Sequence, residues 1–334
     1  MPKNTLKFIL LFLIVFVVGL LLEQKEFTFK NNGGINGVLA DCKSNYGLLN
    51  PFIACDLSEE KNLELIKKLD YELNELINSS IKDKKATKIS VFFRDLTSKK
   101  WVGINQNENY APASLLKLPL LITYFKLLEI QPTLFSEKYV FKKDPGSHAQ
   151  DFEPEIQLEE GKEYTVEELL RRMIVYSDND AMLFLGEIMD PDFLKKVFSD
   201  TGINVRVDEK NEKDFVSPQT YSNILRMLYN SSYLTRQSSE KILKMLGETN
   251  FSDGLVAGVP SEILVSHKFG ERKIIDKNAS STINELHDCG IIYYPEHPYI
   301  LCVMTVGDNF DNLKEIIKKA SALVYKDFGE INKK

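Results

Sequence analysis

The sequence predicts a mixed α/β (α+β) fold: an antiparallel five-stranded sheet flanked by terminal helices, with an all-helical lobe inserted between strands. Three observations carry that expectation. Strand-like runs fall into two groups, Lys88 to Asp95 with Lys100 to Ile104, then Glu262 to Phe269, His287 to Tyr294 and Tyr299 to Val306. Between the groups the pattern is helical, with polar connections. An amphipathic helix stands at each end of the folded region. Strand edges and apolar faces need covering, so the two groups are expected to join into one sheet. The terminal helices would then cover one face and the helical lobe the other.

Taken in order, Phe8 to Leu22 is an apolar run preceded by Lys3 and Lys7. A basic flank before an apolar segment marks a membrane anchor or signal segment over residues 1–22. Glu23-Gln24-Lys25-Glu26 follows where a small-x-small cleavage site would stand. An uncleaved membrane anchor with an extracytoplasmic domain is therefore expected. A cleaved signal, giving a secreted or periplasmic protein, is the alternative. Residues 23–55 are polar around Asn31-Asn32-Gly33-Gly34 and read as a linker. The globular domain is expected over residues 56–330. Its α/β lobe would use residues 56–112 and 262–330, and its helical lobe residues 113–261.

Asp56 and Glu59 resemble a helix cap, and Leu65, Ile66, Leu69, Leu73, Leu76 and Ile77 follow as a helical stripe. The first strand group reads as a hairpin around Leu96-Thr97-Ser98-Lys99. Ser114 to Ile130 is an apolar helix, with Pro119 tolerable because it lies in the first turns. Phe135 to Glu160 reads as a long polar connection. Thr165 caps a helix that ends near Tyr176, and further helices cover Asp180 to Ile188, Pro191 to Asp200, Ser217 to Tyr229 and Ser238 to Leu246. The closing helix, Asn312 to Phe328, carries Leu313, Ile316, Ile317, Ala320, Leu323 and Val324 on one stripe.

Composition excludes several function classes. The 334 residues are 43% hydrophobic and 27% charged, an ordinary globular balance. A net charge of −6 argues against nucleic-acid binding, which needs a basic face. The four histidines form no H-x-x-x-H or HExxH pair, and the four cysteines no CxxC, so neither metal nor cofactor is expected. His287-Asp288 lies at a predicted strand start, where His287 reads as a satisfied structural histidine. Cys42, Cys55, Cys289 and Cys302 allow three disulfide pairings. Cys289 and Cys302 flank the turn Tyr294-Pro295-Glu296-His297-Pro298 and can face each other, either bonded or as free buried thiols. A monomer is expected.

Three short motifs carry chemistry. In Ser114-Leu115-Leu116-Lys117 a hydroxyl and an amine share one helix face. Burial of that lysine lowers its pKa and lets it take the hydroxyl proton, making Ser114 a nucleophile without a histidine. Such Ser-x-x-Lys spacing also occurs at Ser58, Ser79 and Ser238, where it reads as solvated helix surface; only at Ser114 are the flanks almost wholly apolar. Ser177-Asp178-Asn179 lies between two helices, where a hydroxyl can relay a proton and an amide can hold a carbonyl or orient a lysine. His267-Lys268-Phe269-Gly270 closes a predicted strand and brings a cation toward Ser177, with Gly270 permitting close backbone approach.

In this order the three motifs resemble those of the penicillin-recognising serine hydrolases, closest to the class A β-lactamase family. The similarity spans about Asp56 to Phe328, and the run from Tyr164 to Met173 supports it. It implies a β-lactamase/transpeptidase-like fold and acyl transfer on a β-lactam or a D-Ala-D-Ala-like cell-wall peptide. Ser114 would be the nucleophile, Lys117 the acylation base, Ser177 the proton donor to the leaving nitrogen and Lys268 its electrostatic support. The Ser114 N–H and one just past Gly270, near Arg272, would form the oxyanion hole, and Asn179 would bind the substrate amide. Two departures stand out. Arg206 to Phe215 lacks the family's Glu-x-x-x-Asn pattern, leaving Glu209 and Glu212 as candidate deacylation bases. Phe269 replaces the usual Ser or Thr that helps bind a substrate carboxylate. A penicillin-binding D,D-peptidase and a catalytically silent binding module are the alternative readings.

Overall fold

The central strands are buried on both faces, and their successive side chains alternate between two cores. In the computed structural model, residues 63–144, 150, 152, 154, 157–203, 214–276 and 281–332 are described, all within one unit, Ser44–Lys334. The expected anchor, linker, Asp56/Glu59 cap, Cys42, Cys55, Glu209 and Glu212 lie outside the described residues. Among the described residues no helix is long and apolar enough to cross a membrane.

In β1 (Lys88–Asp95), Ile89, Val91 and Phe93 face one core while Phe92 faces the other. β2 (Trp101–Ile104) completes the hairpin, pairing Val91 with Ile104. At the other end of the chain come β5 (Val265–Asp276), β6 (Ser281–Ile292) and β7 (Tyr299–Gly307). The five form one antiparallel sheet in the order β2-β1-β7-β6-β5, so the distant strand groups meet at the β1–β7 pair. On one face lie α1 (Leu63–Lys82) and α8 (Phe310–Asn332), placing Leu69, Leu73, Ile317, Val324 and Phe328 against Val91, Phe93, Leu301 and Val303. Lys68 joins the two helices by donating to Asp327 at 2.8 Å.

The other face is covered by the helical lobe. Its helices are α2 (Lys117–Leu128), α3 (Val166–Val175), α4 (Asn179–Ile188), α5 (Pro191–Asp200), α6 (Pro218–Tyr229) and α7 (Arg236–Gly247). Sequence-coded caps fix their starts. Thr165 and Glu168 form a reciprocal capping box on α3, Asp178 accepts from Ala181 N on α4, and Ser217 accepts from Thr220 N on α6.

Four sequence expectations need correction. The 135–160 connection is not wholly irregular, because β3 (Lys138–Val140) pairs with β4 (Glu163–Thr165). Three-residue strands are too short to give a pattern. Ser114 does not open an α-helix directly; it lies in a 3-10 turn, Ala113–Leu116, ahead of α2. β5 does not stop at Phe269 but runs to Asp276, paired throughout with β6. Its polar tail Glu271-Arg272-Lys273 resembles a turn in sequence, yet the cross-strand pair Arg272–Glu285, at 3.5 Å, keeps it in the ladder. Lys268-Phe269-Gly270 is thus mid-strand, and so is His287-Asp288 in β6.

Cys289 and Cys302 stand directly opposite on β6 and β7 and are disulfide-bonded, 13 residues apart in sequence. The bond closes a hairpin whose ends the ladder already holds. Replacing both with Ala is expected to lower the unfolding free energy by about 2 kcal/mol, read from urea denaturation.

Candidate active site

The site is built where the turn ahead of α2, the turn ahead of α4 and strand β5 meet. Ala113 has φ 47° and Ser177 φ 53°, a left-handed conformation that costs about 1 kcal/mol or more per non-glycine residue. These two of the left-handed non-glycine residues are at the site: one directly precedes Ser114, and the other is the hydroxyl residue of the second motif.

The Ser114 turn is held from several sides. Leu115 N donates to Pro112 O at 2.9 Å, and Tyr221 Oη on α6 donates to Leu115 O at 3.2 Å. His287 on β6 contacts Ala111 O through Nε2 at 3.1 Å. Thr305 N donates to its Nδ1 at 3.3 Å, which fixes the tautomer with the proton on Nε2. Gly270 lets β5 lie against the same turn. A Cβ there would stand 3.0 Å from Pro112 O and 3.1 Å from Leu115 N. The glycine thus has a packing reason, though it is not in a turn.

Lys117 is fully buried and gathers the first two motifs. Its Nζ lies 2.9 Å from Ser114 Oγ, 2.6 Å from Asn179 Oδ1, 2.5 Å from Ser177 O and 3.1 Å from Ser177 Oγ. The two carbonyl-type oxygens can only accept, so they take two N–H bonds. A neutral amine has no further N–H, and its lone pair is left for the Ser114 hydroxyl. Burial drives this neutral form, pulling the Lys117 ammonium down to about 7 against the opposing charges of Asp178 and Glu271.

Lys268 is likewise fully buried, on the helical-lobe face of β5. It donates to Ser177 Oγ at 2.9 Å and to Phe269 O at 2.8 Å. Burial first, then the nearby Lys117, hold its ammonium well below the ordinary lysine value. Ser177 Oγ thus stands between two lysines. The turn that carries it is secured by Asp178, which accepts from Ala181 N at 3.0 Å and from Arg172 Nε at 3.1 Å.

Ser114, Lys117, Ser177, Asn179, Lys268 and the Gly270 backbone therefore converge. Phe269 borders this cluster, with Lys268 Nζ 4.1 Å from its ring centroid, while Arg272 points elsewhere. Phe269 faces the terminal-helix side, buried and stacked on Phe251 at 4.2 Å between ring centroids, with Phe152 edge-on at 5.8 Å. Arg272 pairs with Glu285 at 3.5 Å and Asp214 at 3.9 Å. Two further side chains, which no motif marks, bind backbone N–H groups near these segments. Gln150 Oε1 accepts from Asn179 N at 3.3 Å, and Glu271 Oε1 accepts from Phe152 N at 3.1 Å. Neither belongs to a periodic pattern; a carboxylate next to Gly270 was the one available signal. Among the described residues no cluster of metal-ligating side chains is present.

Comparison with known proteins gives two findings. A model of the beta-lactamase enzyme family matches residues 68–328. Among solved structures the chain is similar to PBP-A, at 19% identity and a TM-score of 0.66, covering 82% of this chain and all of that one. It is also similar to the TLA-1 extended-spectrum beta-lactamase, at 20% identity and a TM-score of 0.66, over 79% of this chain and 99% of that one. A class A beta-lactamase from Mycobacterium abscessus matches at 22% identity with a TM-score of 0.64, over 78% and 99% of the respective chains. These structural likenesses concern the fold.

Proposed function

The chain belongs to the beta-lactamase enzyme family, and from that premise we propose that it is a serine hydrolase acting through a Ser114 acyl-enzyme on β-lactams or D-Ala-D-Ala-like amides. The observation that carries this reading is the Lys117 amine, buried and 2.9 Å from Ser114 Oγ with its N–H groups taken by carbonyl-type oxygens.

In the proposed step Lys117 Nζ takes the Ser114 proton while Oγ bonds to the substrate carbonyl carbon. Backbone N–H groups at Ser114 and on β5 past Gly270 receive the oxyanion charge. The C–N bond then breaks. Ser177 gives its proton to the leaving nitrogen and recovers one from Lys117, 3.1 Å away, while Lys268 supports the transient charge on Ser177 Oγ. Asn179 orients Lys117. A membrane anchor over residues 1–22, with the domain outside the cytoplasm, would hold the enzyme beside cell-wall substrates.

The base must be neutral to work. Acylation is expected to rise with pH through about 7 and to run at about a tenth of its plateau one unit lower. Stopped-flow acylation rates across pH check this; a rate flat through that range counts against Lys117 as base.

A penicillin-binding protein is the second reading. It rests on the sequence: Arg206 to Phe215 lacks the Glu-x-x-x-Asn pattern that the family uses to activate the deacylating water. A silent binding module would leave Lys117 turned away from Ser114, and the observed contact speaks against it. The test is a chromogenic cephalosporin given to the full chain beside a Ser114→Ala control. Ser114-dependent ring opening supports the hydrolase, with sustained turnover marking a β-lactamase and a single burst a penicillin-binding protein. No difference from the control would refute the proposal.

A further inference from the structure

One buried histidine joins the two segments that carry the proposed oxyanion donors. His287 on β6 pairs directly with Gly270 on β5 and with Met304 on β7, so its ring stands on the helical-lobe face beside Gly270. Gly270 has no side chain, and that space is filled by the Ser114 turn: a Cβ there would meet Pro112 O at 3.0 Å and Leu115 N at 3.1 Å. The His287 ring lies against the same turn, with Nε2 3.1 Å from Ala111 O. The ring is aimed from three sides. Thr305 N donates to Nδ1 at 3.3 Å, which leaves the proton on Nε2. The buried Glu285 carboxylate lies 3.4 Å from Nε2, and its negative charge favours a proton there. Tyr110 packs edge-on at 5.2 Å between ring centroids. Ala111 stands three residues before Ser114. Between them come Pro112, which has no N–H, and Ala113, held at φ 47°. A strained turn of this kind persists only where its surroundings over-determine it. Tyr221 Oη holds the far side at Leu115 O, and His287 holds the near side at Ala111 O.

Resting on the Ser114 acyl-enzyme reading, we propose that His287 is a positioning residue for acylation: its Nε2–H holds Ala111 O and so sets the spacing between the Ser114 N–H and the β5 N–H past Gly270. His287 touches neither the substrate nor the reacting atoms, and no proton leaves it during the step. The physical reason lies in the ladder. Strand pairing fixes His287 against Gly270, so one hydrogen bond carries the register of β5 over to the nucleophile turn. Without that donor Ala111 O is a buried acceptor left unpaired, and the turn is free to relax away from β5. The two N–H groups then no longer converge on one oxygen. A developing oxyanion needs both donors at hydrogen-bond distance, whereas initial binding of the neutral carbonyl needs them far less. The loss therefore falls on the acylation step and spares binding.

The test compares His287→Gln with His287→Met in the full chain. The two side chains have the same length, and only glutamine ends in an N–H able to donate to Ala111 O. The probe is whichever of benzylpenicillin and its methyl ester labels the wild type faster. The Ser114 adduct is followed by mass spectrometry against time and concentration, which separates initial binding from the acylation rate constant. His287→Met is expected to lower that rate constant about 10- to 100-fold with binding unchanged, and His287→Gln to recover most of it. A probe carrying ¹³C at the lactam carbonyl adds a spectroscopic readout. The infrared band of the acyl carbonyl is expected at higher wavenumber in His287→Met, where the oxyanion donors no longer grip it, and near the wild-type position in His287→Gln. Equal losses in the two variants, or a wild-type rate in His287→Met, overturn the proposal. Should His287→Met not fold, the wild type decides. ¹⁵N-histidine NMR is expected to find His287 protonated on Nε2, and a proton on Nδ1 instead overturns the proposal. If neither compound labels wild-type Ser114, the acyl-enzyme reading fails and this inference fails with it; labelling that ignores the donor at position 287 sinks this inference alone.

Discussion

Lys117→Met is expected to slow acylation of Ser114 by about 10²–10⁴-fold, the range over which a positioned general base contributes. The thioether occupies much of the lysine's volume but cannot accept a proton. The loss of the base is therefore separated from a packing defect. Asn179 Oδ1 and Ser177 O lose their donor, which costs about 1–3 kcal/mol of stability if water does not replace it. The effect on rate is larger and appears in single-turnover kinetics at protein concentrations where folding is verified by circular dichroism. The variant's residual rate should also lose the rise through pH 7, because the group responsible for it is gone.

Asp178→Ala is expected to have the largest effect on stability, about 3 kcal/mol or more. Asp178 is buried and does two jobs. It caps α4 by accepting from Ala181 N, and it pairs with Arg172 on α3. Cap loss alone costs about 1 kcal/mol. Removing a buried partner from a cation costs more. The same change frees the strained Ser177 backbone, whose φ of 53° the cap and pair help to hold. Thermal melts should show a lowered Tm, and acylation should fall along with it because Ser177 and Asn179 flank the altered residue. Asp178→Asn, which can still accept from Ala181 N, should recover part of the stability.

These two residues also illustrate what could be read from the chain alone. Ser114, Lys117, Ser177 and Lys268 were legible because their spacing and order carry chemistry, and the described geometry brings them within hydrogen-bonding distance. The sheet was legible because β1 and β7, buried on both faces, read as near-continuous apolar runs. β5 was cut short because Glu271-Arg272-Lys273 breaks alternation, and only its partner Glu285 on β6 explains why the strand continues. Cross-strand partners are invisible until register is known. For the same reason, Phe269 could not be assigned to the terminal-helix face while its strand was thought to end there. Gln150 and Tyr221 escaped notice because each acts on a backbone group, which leaves no trace in side-chain pattern.

The central claim is a hydroxyl activated by a buried amine, and the most direct measurement is where a β-lactam becomes attached. Full chain is incubated with benzylpenicillin or its methyl ester, quenched, digested and mapped by mass spectrometry. The account predicts one covalent adduct, on the peptide containing Ser114, formed by at least one of the two compounds and lost in Ser114→Ala. A folded chain that forms no adduct with either, or an adduct that persists in Ser114→Ala, would contradict it.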